Sequence, residues 1–365
     1  MNNYIYLSLL FLILCLFILP KDNEEDFIIF FDSYGYVEGD EWVIPMRIYV
    51  YEYRPLAERM VVRLINRTHS LTQDQSQLFQ HRSRYFMVDS ESRERIQFMF
   101  DDDPERVIFT PLDSFGSDMT TNLNGFIVGT IRITKERARA IKEAQSSDNG
   151  WLSISSLPGR QKGTGKIQLI PQTGVSLISD VDDTIKITEI PAGSRIVIRN
   201  TFFKEYTAAP GMSDFYQDFD LDAYHYVTGS PWQLYHPLTD FLFDESVGFP
   251  RGTLHMKTVT KNFVSINTWR NLHELVTNDR VTFDQKKDQI TTLFEHFPER
   301  QFILVGDSGE TDPEIFSQIR NQFPDQVLEI FIRDVVNAAE LNPERLREMV
   351  VIPAPTIEYG VSQFE

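Results

Sequence analysis

The chain has 365 residues, 42% of them hydrophobic and 28 of them phenylalanine, which is enough apolar surface for one large core or two modest ones. A formal net charge of -18 excludes sequence-independent nucleic-acid binding, which needs clustered Lys and Arg to neutralise phosphates. The same charge gives no general attraction to anionic membranes, so an anionic substrate must be held by a local site.

Tyr4 to Leu19 is an uninterrupted apolar run that ends at Pro20 and is followed by KDNEED. At roughly 16 residues it falls between a signal-peptide core and a short membrane-spanning helix. No Lys or Arg precedes it and no small-x-small cleavage site comes after it. Residues 1–25 are therefore read as an N-terminal anchor or signal segment that associates the protein with a membrane. The acidic flank favours export of the remaining chain. Cys15, the only cysteine, lies inside this run, so disulfides, Cys-ligated zinc and thiol catalysis are excluded for the remainder.

Residues 26–170 read as a β-rich domain. EWVIPMRIYVYEY (Glu41 to Tyr53), RIQFMF (Arg95 to Phe100) and NGFIVGTIRIT (Asn124 to Thr134) carry β-branched and aromatic residues in partial alternation. One helix is predicted from Pro55 to about Phe79, on the helical spacing of Leu56, Met60, Val61 and Leu64. Gln145 to Gly150 and Leu157 to Lys166 are polar and rich in turn residues. A boundary falls near residue 170. Residues 171–365 change in texture: short apolar strands alternate with amphipathic segments, which predicts βαβ units and a parallel sheet. In such sheets ligands bind beyond the carboxyl ends of the strands.

The strand VSLIS (Val175 to Ser179) runs directly into Asp180, Asp182 and Thr184, a D-x-D-x-T pattern with Asp183 between. Carboxylates this close raise one another's pKa unless a cation sits among them, and oxygen ligands point to magnesium. A second strand, Phe302 to Val305, is followed by Gly306, Asp307 and Asp312, so two strands deliver acids to one sheet edge. A third, YHYVTGS, ends in Thr228 and Gly229, a hydroxyl and a flexible amide suited to phosphate oxygens. Lys286 can supply the positive charge that a phosphoryl group needs.

This ordered set resembles the four motifs of the haloacid dehalogenase superfamily in its phosphatase branch. LISDVDDTIKIT, YHYVTGSPWQLY, GFPRGTLHMK and FILVGDSGETDPEIF, with IRDV at Ile332 to Val335, resemble the catalytic domain of the actin-patch-protein-type phosphatidate phosphatases over about residues 172 to 340. The resemblance implies an α/β fold, a haloacid-dehalogenase-like Rossmannoid parallel sheet with helices on both faces, preceded here by a smaller, sandwich-like β domain. It implies that Asp180 attacks phosphorus and that Asp182, with a raised pKa, moves protons to the leaving group and from water. It further implies that Mg2+ is bound by Asp180, the Asp182 carbonyl, Asp307 and Asp312. Thr184, Thr228, Gly229, Ser230 and Lys286 would then hold the phosphoryl oxygens, Asp312 would orient Lys286 or a metal-bound water, and the substrate would be phosphatidate or a related lipid phosphate.

His255 and Lys257 occupy alternate positions of a predicted strand and either contact a substrate head group or serve the fold. Trp232 reads as core or site wall, or as an aromatic that touches lipid at an interface. Arg333 and Asp334 read as a local ion pair, with a site role as what the resemblance implies. Asp183 reads as a helix-capping or hydrogen-bonding group, and Glu310 as a residue behind the ligands. Neither gap between Thr184, Thr228 and Lys286 comfortably holds a large lid domain, and for a chain that resembles this superfamily the lack of such a lid implies a bulky substrate. Two other readings stay open: the same chemistry on a phosphoprotein, nucleotide or small ester, and a membrane-tethered interaction protein without catalysis.

Overall fold

A computed structural model describes residues 25–258 and 279–358. The apolar run Tyr4 to Leu19 lies outside them, and among the described residues no helix is long and apolar enough to cross a membrane. The described chain divides into two compact units, residues 25–64 with 84–171, and residues 65–83 with 172–258 and 279–358.

The first unit is built on a nine-stranded sheet. Its strands are β1 (Asp26–Phe30), β2 (Ser33–Glu38), β3 (Glu41–Glu52), β4 (Asp89–Ser90), β5 (Phe98–Phe100), β6 (Phe126–Thr134), β7 (Trp151–Ser156), β8 (Gln161–Lys162) and β9 (Thr164–Leu169). The long β3 is the hub, pairing antiparallel with β1, β2, β4 and β6. Strand β2 changes partners along its length: Ser33 to Gly35 pair with β9, and Tyr36 to Glu38 with β3. Gly35 sits at the change, where a Cβ would lie 2.7 Å from the Leu169 side chain. The two halves of the sheet so joined share one core, in which Ile44, Ile48 and Val50 meet Phe98, Leu152 and Ile167.

The single helix predicted from Pro55 is two helices, α1 (Pro55–His69) and α2 (Gln73–Ser83). Ser70 takes a left-handed φ of 49°, which ends the first helix. Thr72 starts the second with a reciprocal cap, its hydroxyl accepting from the Gln75 amide at 3.3 Å while Gln75 Oε1 accepts from the Thr72 amide at 3.1 Å. Helix α2 belongs to the second unit, although nearly ninety residues of the first unit come after it in sequence. Helix α3 (Lys135–Ala144) returns to the first unit, capped by Thr134.

The second unit carries β10 (Val175–Ser179), α4 (Ser194–Phe202), α5 (Met212–Gln217), β11 (Ala223–Pro231), α6 (Tyr235–Leu242), β12 (Thr253–Lys257), α7 (Asp279–His296), β13 (Gln301–Asp307), α8 (Asp312–Gln322), β14 (Val327–Asp334), α9 (Ala338–Leu341) and β15 (Val350–Pro353). All six strands are parallel, in the order β12-β11-β10-β13-β14-β15. Counted from the start of the unit this is 3-2-1-4-5-6, the doubly wound order, whose direction reverses between β10 and β13. A crevice opens at such a reversal, at the carboxyl ends of those two strands.

Alternate side chains show cover on both faces. Phe302 stacks on Phe294 of α7 with centroids 4.2 Å apart, while Phe331 of β14 meets Phe215 of α5 at 5.2 Å. On β11, His225 faces Phe297 and its neighbour Tyr226 faces Phe243. Burial on both faces explains why these strands read as continuous apolar runs rather than as alternation. At the opposite end from the crevice, Arg300 is fully buried and donates to the Val175 carbonyl at 3.0 Å, the Thr173 carbonyl at 2.5 Å and Ser176 Oγ at 2.6 Å. It ties the entry of β10 to the turn before β13. Replacing Phe302 by Ala, which empties the stack on Phe294, should cost about 3–5 kcal/mol of stability, read as a lowered urea midpoint for the second unit.

Candidate active site

Val175 to Ser179 deliver Asp180 to the carboxyl edge of the sheet, and the Asp180 amide closes on the Val305 carbonyl of β13 at 2.9 Å. The chain then turns sharply. Asp183 takes a φ of 57° and its carboxylate accepts the amides of Thr188, Glu189 and Ile190 at 2.8, 2.7 and 2.6 Å, so it acts as the hydrogen-bonding group expected of it. Arg333 donates to the Asp183 carbonyl at 2.7 Å, while Asp334 caps α9 and binds Ser308. The expected Arg333–Asp334 pair is therefore not formed: adjacent strand residues point to opposite faces and find different partners.

The acids of the two motifs converge, but in two groups. In the first, Lys286 Nζ donates to Asp180 Oδ1 at 2.6 Å, Asp312 Oδ1 at 3.0 Å and Glu310 Oε2 at 3.1 Å. Thr184 donates its hydroxyl to Asp180 Oδ2 at 3.0 Å. Asp312 uses its other oxygen to accept the Asp307 amide at 3.2 Å. Gly306 makes this approach possible, since a Cβ there would lie 2.7 Å from that of Asp312. In the second group Asp182 receives Thr188 Oγ1 at 2.7 Å and Lys186 Nζ at 2.8 Å on Oδ1, and the hydroxyls of Thr228 and Ser230, each at 3.0 Å, on Oδ2. Gly229 lies between those hydroxyls, against Thr282.

Burial pushes Asp180 and Asp307 well above the usual carboxylate range, and the neighbouring acids add to this, although Lys286 opposes it at Asp180. Glu310 is pushed up to about 7, chiefly by burial. At Asp182 burial also acts upward, but the Lys186 ammonium and the hydrogen bonds from Lys186, Thr188 and Ser230 outweigh it and hold the carboxyl well below the usual range. The raised pKa expected for Asp182 is thus not found in the resting site. The cause is Lys186, four residues on in the same tight turn.

The donor set fits a hard divalent cation. Oxygens of Asp180, Asp307 and Glu310 lie within 4.8 Å of one another, and Asp307 Oδ2 is buried with no hydrogen-bond partner. An orphaned carboxylate oxygen among acids that share the ammonium of Lys286 is the position a metal ion would satisfy. Asp307 Oδ1 is already taken by the amides of Gly309 and Glu310, at 2.6 and 3.2 Å. Asp312, which the resemblance placed with the ligands, spends both oxygens on Lys286 and the Asp307 amide, whereas Glu310 offers an oxygen beside those of Asp180 and Asp307.

His255 accepts or donates to Thr253 Oγ1 at 2.9 Å, and the same hydroxyl meets the buried His225 at 2.7 Å. Lys257 is buried and donates to Thr282 Oγ1 at 3.1 Å, behind Gly229. Trp232 is buried. Sequence reasoning passed over Lys186 and Thr188, which lie inside the quoted LISDVDDTIKIT, and gave Glu310 little weight. A lysine enclosed by isoleucines was the available signal.

Residues 175–334 match the family model described as the phosphatidate phosphatase APP1 catalytic domain. The chain is 32% identical over 183 residues to phosphatidate phosphatase APP1 of Saccharomyces cerevisiae, an alignment covering 48% of this chain and 29% of the yeast protein. It is 29% identical over 178 residues to an uncharacterized protein of Schizosaccharomyces pombe, covering 47% of this chain and 27% of that one. The chain thus spans less than a third of the length of these curated relatives. Similarity to the crystal structure of Ruminococcus gnavus beta-glucuronidase, over 87% of this chain and 45% of that one, reaches a TM-score of only 0.25 at 8% identity and bears on neither fold nor chemistry. Asp180, Asp182, Thr228, Lys286, Asp307, Glu310 and Asp312 all fall inside the matched segment, so it is in the stretch that bears the candidate site that the chain is similar to the APP1 phosphatidate phosphatase catalytic domain.

Proposed function

We propose that the second unit is a magnesium-dependent phosphoric monoester hydrolase of the haloacid-dehalogenase type, acting on phosphatidate or a related lipid phosphate. The observation that carries this reading is the cluster at the doubly wound reversal: buried Asp180 between Lys286 and Thr184, beside an Asp307 oxygen that lacks a partner. The yeast relative's name and the matched catalytic-domain family support the substrate class. Tyr4 to Leu19, read as a membrane tether, would keep the enzyme at the surface where such a substrate resides.

In this reading an Asp180 oxygen bonds to phosphorus as the ester oxygen leaves, giving an aspartyl-phosphate. The leaving alkoxide takes a proton from Asp182. Water then attacks phosphorus as Asp182 accepts its proton, the bond to Asp180 breaks, and inorganic phosphate is released. Asp182 rests ionised, in the form that accepts a proton. It takes up from solvent the proton it donates only when a phosphoryl group draws the Thr228 and Ser230 hydroxyls to itself and adds negative charge beside the carboxylate, and the proton later accepted from the attacking water returns to solvent. Lys286 and the amides after Thr228 bind the phosphoryl oxygens. Magnesium, held by Asp180, Asp307 and Glu310 with the Asp182 carbonyl, would offset the charge of nucleophile and phosphoryl group.

Malachite-green assay of phosphatidate in mixed micelles should show phosphate release that EDTA abolishes and added magnesium restores. Asp180→Asn should fall below about one-thousandth of the wild-type rate, and turnover surviving in that variant would sink the nucleophile. Asp182→Asn should lower kcat by about 10²–10⁴-fold with little change in KM. Faster turnover of a soluble ester than of every lipid tested would move the substrate class.

A further inference from the structure

Lys186 takes no part in the reaction above, yet it is only 2% exposed and holds Asp182 Oδ1 from 2.8 Å. Burying an ammonium is costly unless its charge is met on several sides. Here it is met by Asp182, by the Thr188 hydroxyl and by the ring of Tyr206, whose centroid lies 4.9 Å from Nζ. The ring of Tyr206 also carries the guanidinium of Arg82, 3.7 Å from the centroid. Arg82 lies on α2 and is itself buried.

Arg82 is fastened to the loop that bears Tyr206. It donates to the Thr201 carbonyl at 3.0 Å and to the Lys204 carbonyl, and its guanidinium meets Glu205 at 3.6 Å. One turn earlier on α2, Phe79 stacks on Phe203 with centroids 5.2 Å apart and planes 3° from parallel. Beyond Tyr206 the loop pairs with the segment that bears Lys186. The Ile187 amide donates to the Thr207 carbonyl at 2.9 Å, and the Ala209 amide to the Ile185 carbonyl at 2.6 Å.

We propose that Arg82 and Tyr206 are positioning residues that fix Lys186 and, through it, the Asp182 carboxylate, so that Oδ2 stays aimed at Thr228 and Ser230. The inference rests on the phosphatase reading and deepens it. It gives a reaction role to α2, which lies outside the segment matched to the catalytic-domain family. A helix serving the fold alone would lower stability when altered and leave kcat intact.

The test uses the full chain, p-nitrophenyl phosphate and phosphatidate micelles as substrates, and thermal unfolding to show that each variant is folded at the assay temperature. Lys186→Met should lower kcat by about 10–100-fold with KM within about threefold of wild type. Arg82→Met and Tyr206→Leu should lower it by about 5–20-fold, and the double variant R82M/K186M should be no slower than K186M alone, because the residues act in series. Tyr206→Phe keeps the ring and should keep at least about half the rate. Arg82→Lys, which retains charge but not the planar fork, should fall between wild type and Arg82→Met. It replaces Arg82→Met if that protein fails to fold.

A folded Arg82→Met with unchanged kcat, or effects of Arg82 and Lys186 that multiply independently, would overturn the proposal. Crystal structures of the same variants decide it without turnover. Loss of the Asp182 hydrogen bonds to Thr228 and Ser230 supports it, and an undisturbed Asp182 in both Lys186→Met and Arg82→Met overturns it. Failure of the phosphatase reading looks different: wild-type protein would release no phosphate that Asp180→Asn abolishes, whatever the variants do to the geometry.

Discussion

Asp180 and Lys286 meet at 2.6 Å at the carboxyl edge of the parallel sheet, both almost wholly out of water. Removing charges from solvent costs more than one contact returns, so the pair persists only because further groups complete it. Lys286 is met by Asp312 and Glu310 as well, and Asp180 by Thr184. The result leaves acid in excess, most plainly at Asp307, and that excess is the chemical signature of the site.

The doubly wound order explains where this excess can exist. β10 and β13 are adjacent in space while the chain segments after them leave in different directions, so the end of the pair is not closed over by a crossover. Asp180 and Asp307 stand one residue beyond and at the end of these strands, and the backbone between them is pinned by the Asp180 amide on the Val305 carbonyl. Asp182 points to another set of partners. Two carboxylates two positions apart in one turn thus acquire opposite electrostatic settings, one pushed up by burial, the other held down by Lys186.

Much of this is legible in the chain. Strands buried on both faces leave apolar runs without alternation, and the polar groups that end them stand out against such runs, which is why β10 and β13 with their terminal acids, and β11 with Thr228 and Ser230, can be located. The break between α1 and α2 is less visible, because Ser70 and Leu71 interrupt a helical pattern without glycine or proline. The division of roles between Glu310 and Asp312 depends on the path of a short loop, and no spacing rule encodes it. Lys186 is hidden for a related reason: its partner Asp182 is close in sequence, but Tyr206 and Arg82 come from distant segments whose meeting is a tertiary fact.

Helix α2 leaves the ribosome well before the residues it docks on. Phe79 and Arg82 find Phe203 and Tyr206 only after the whole of the first unit has been synthesised, and β10 gains its neighbour β13 later still. Pairings this far apart in sequence close slowly, since chain entropy is spent before the contacts that offset it exist. During synthesis Phe79 and Arg82 of α2 therefore wait uncovered while the first unit is completed. That order of events makes the nascent chain a candidate for chaperone capture in the interval before residue 209 emerges.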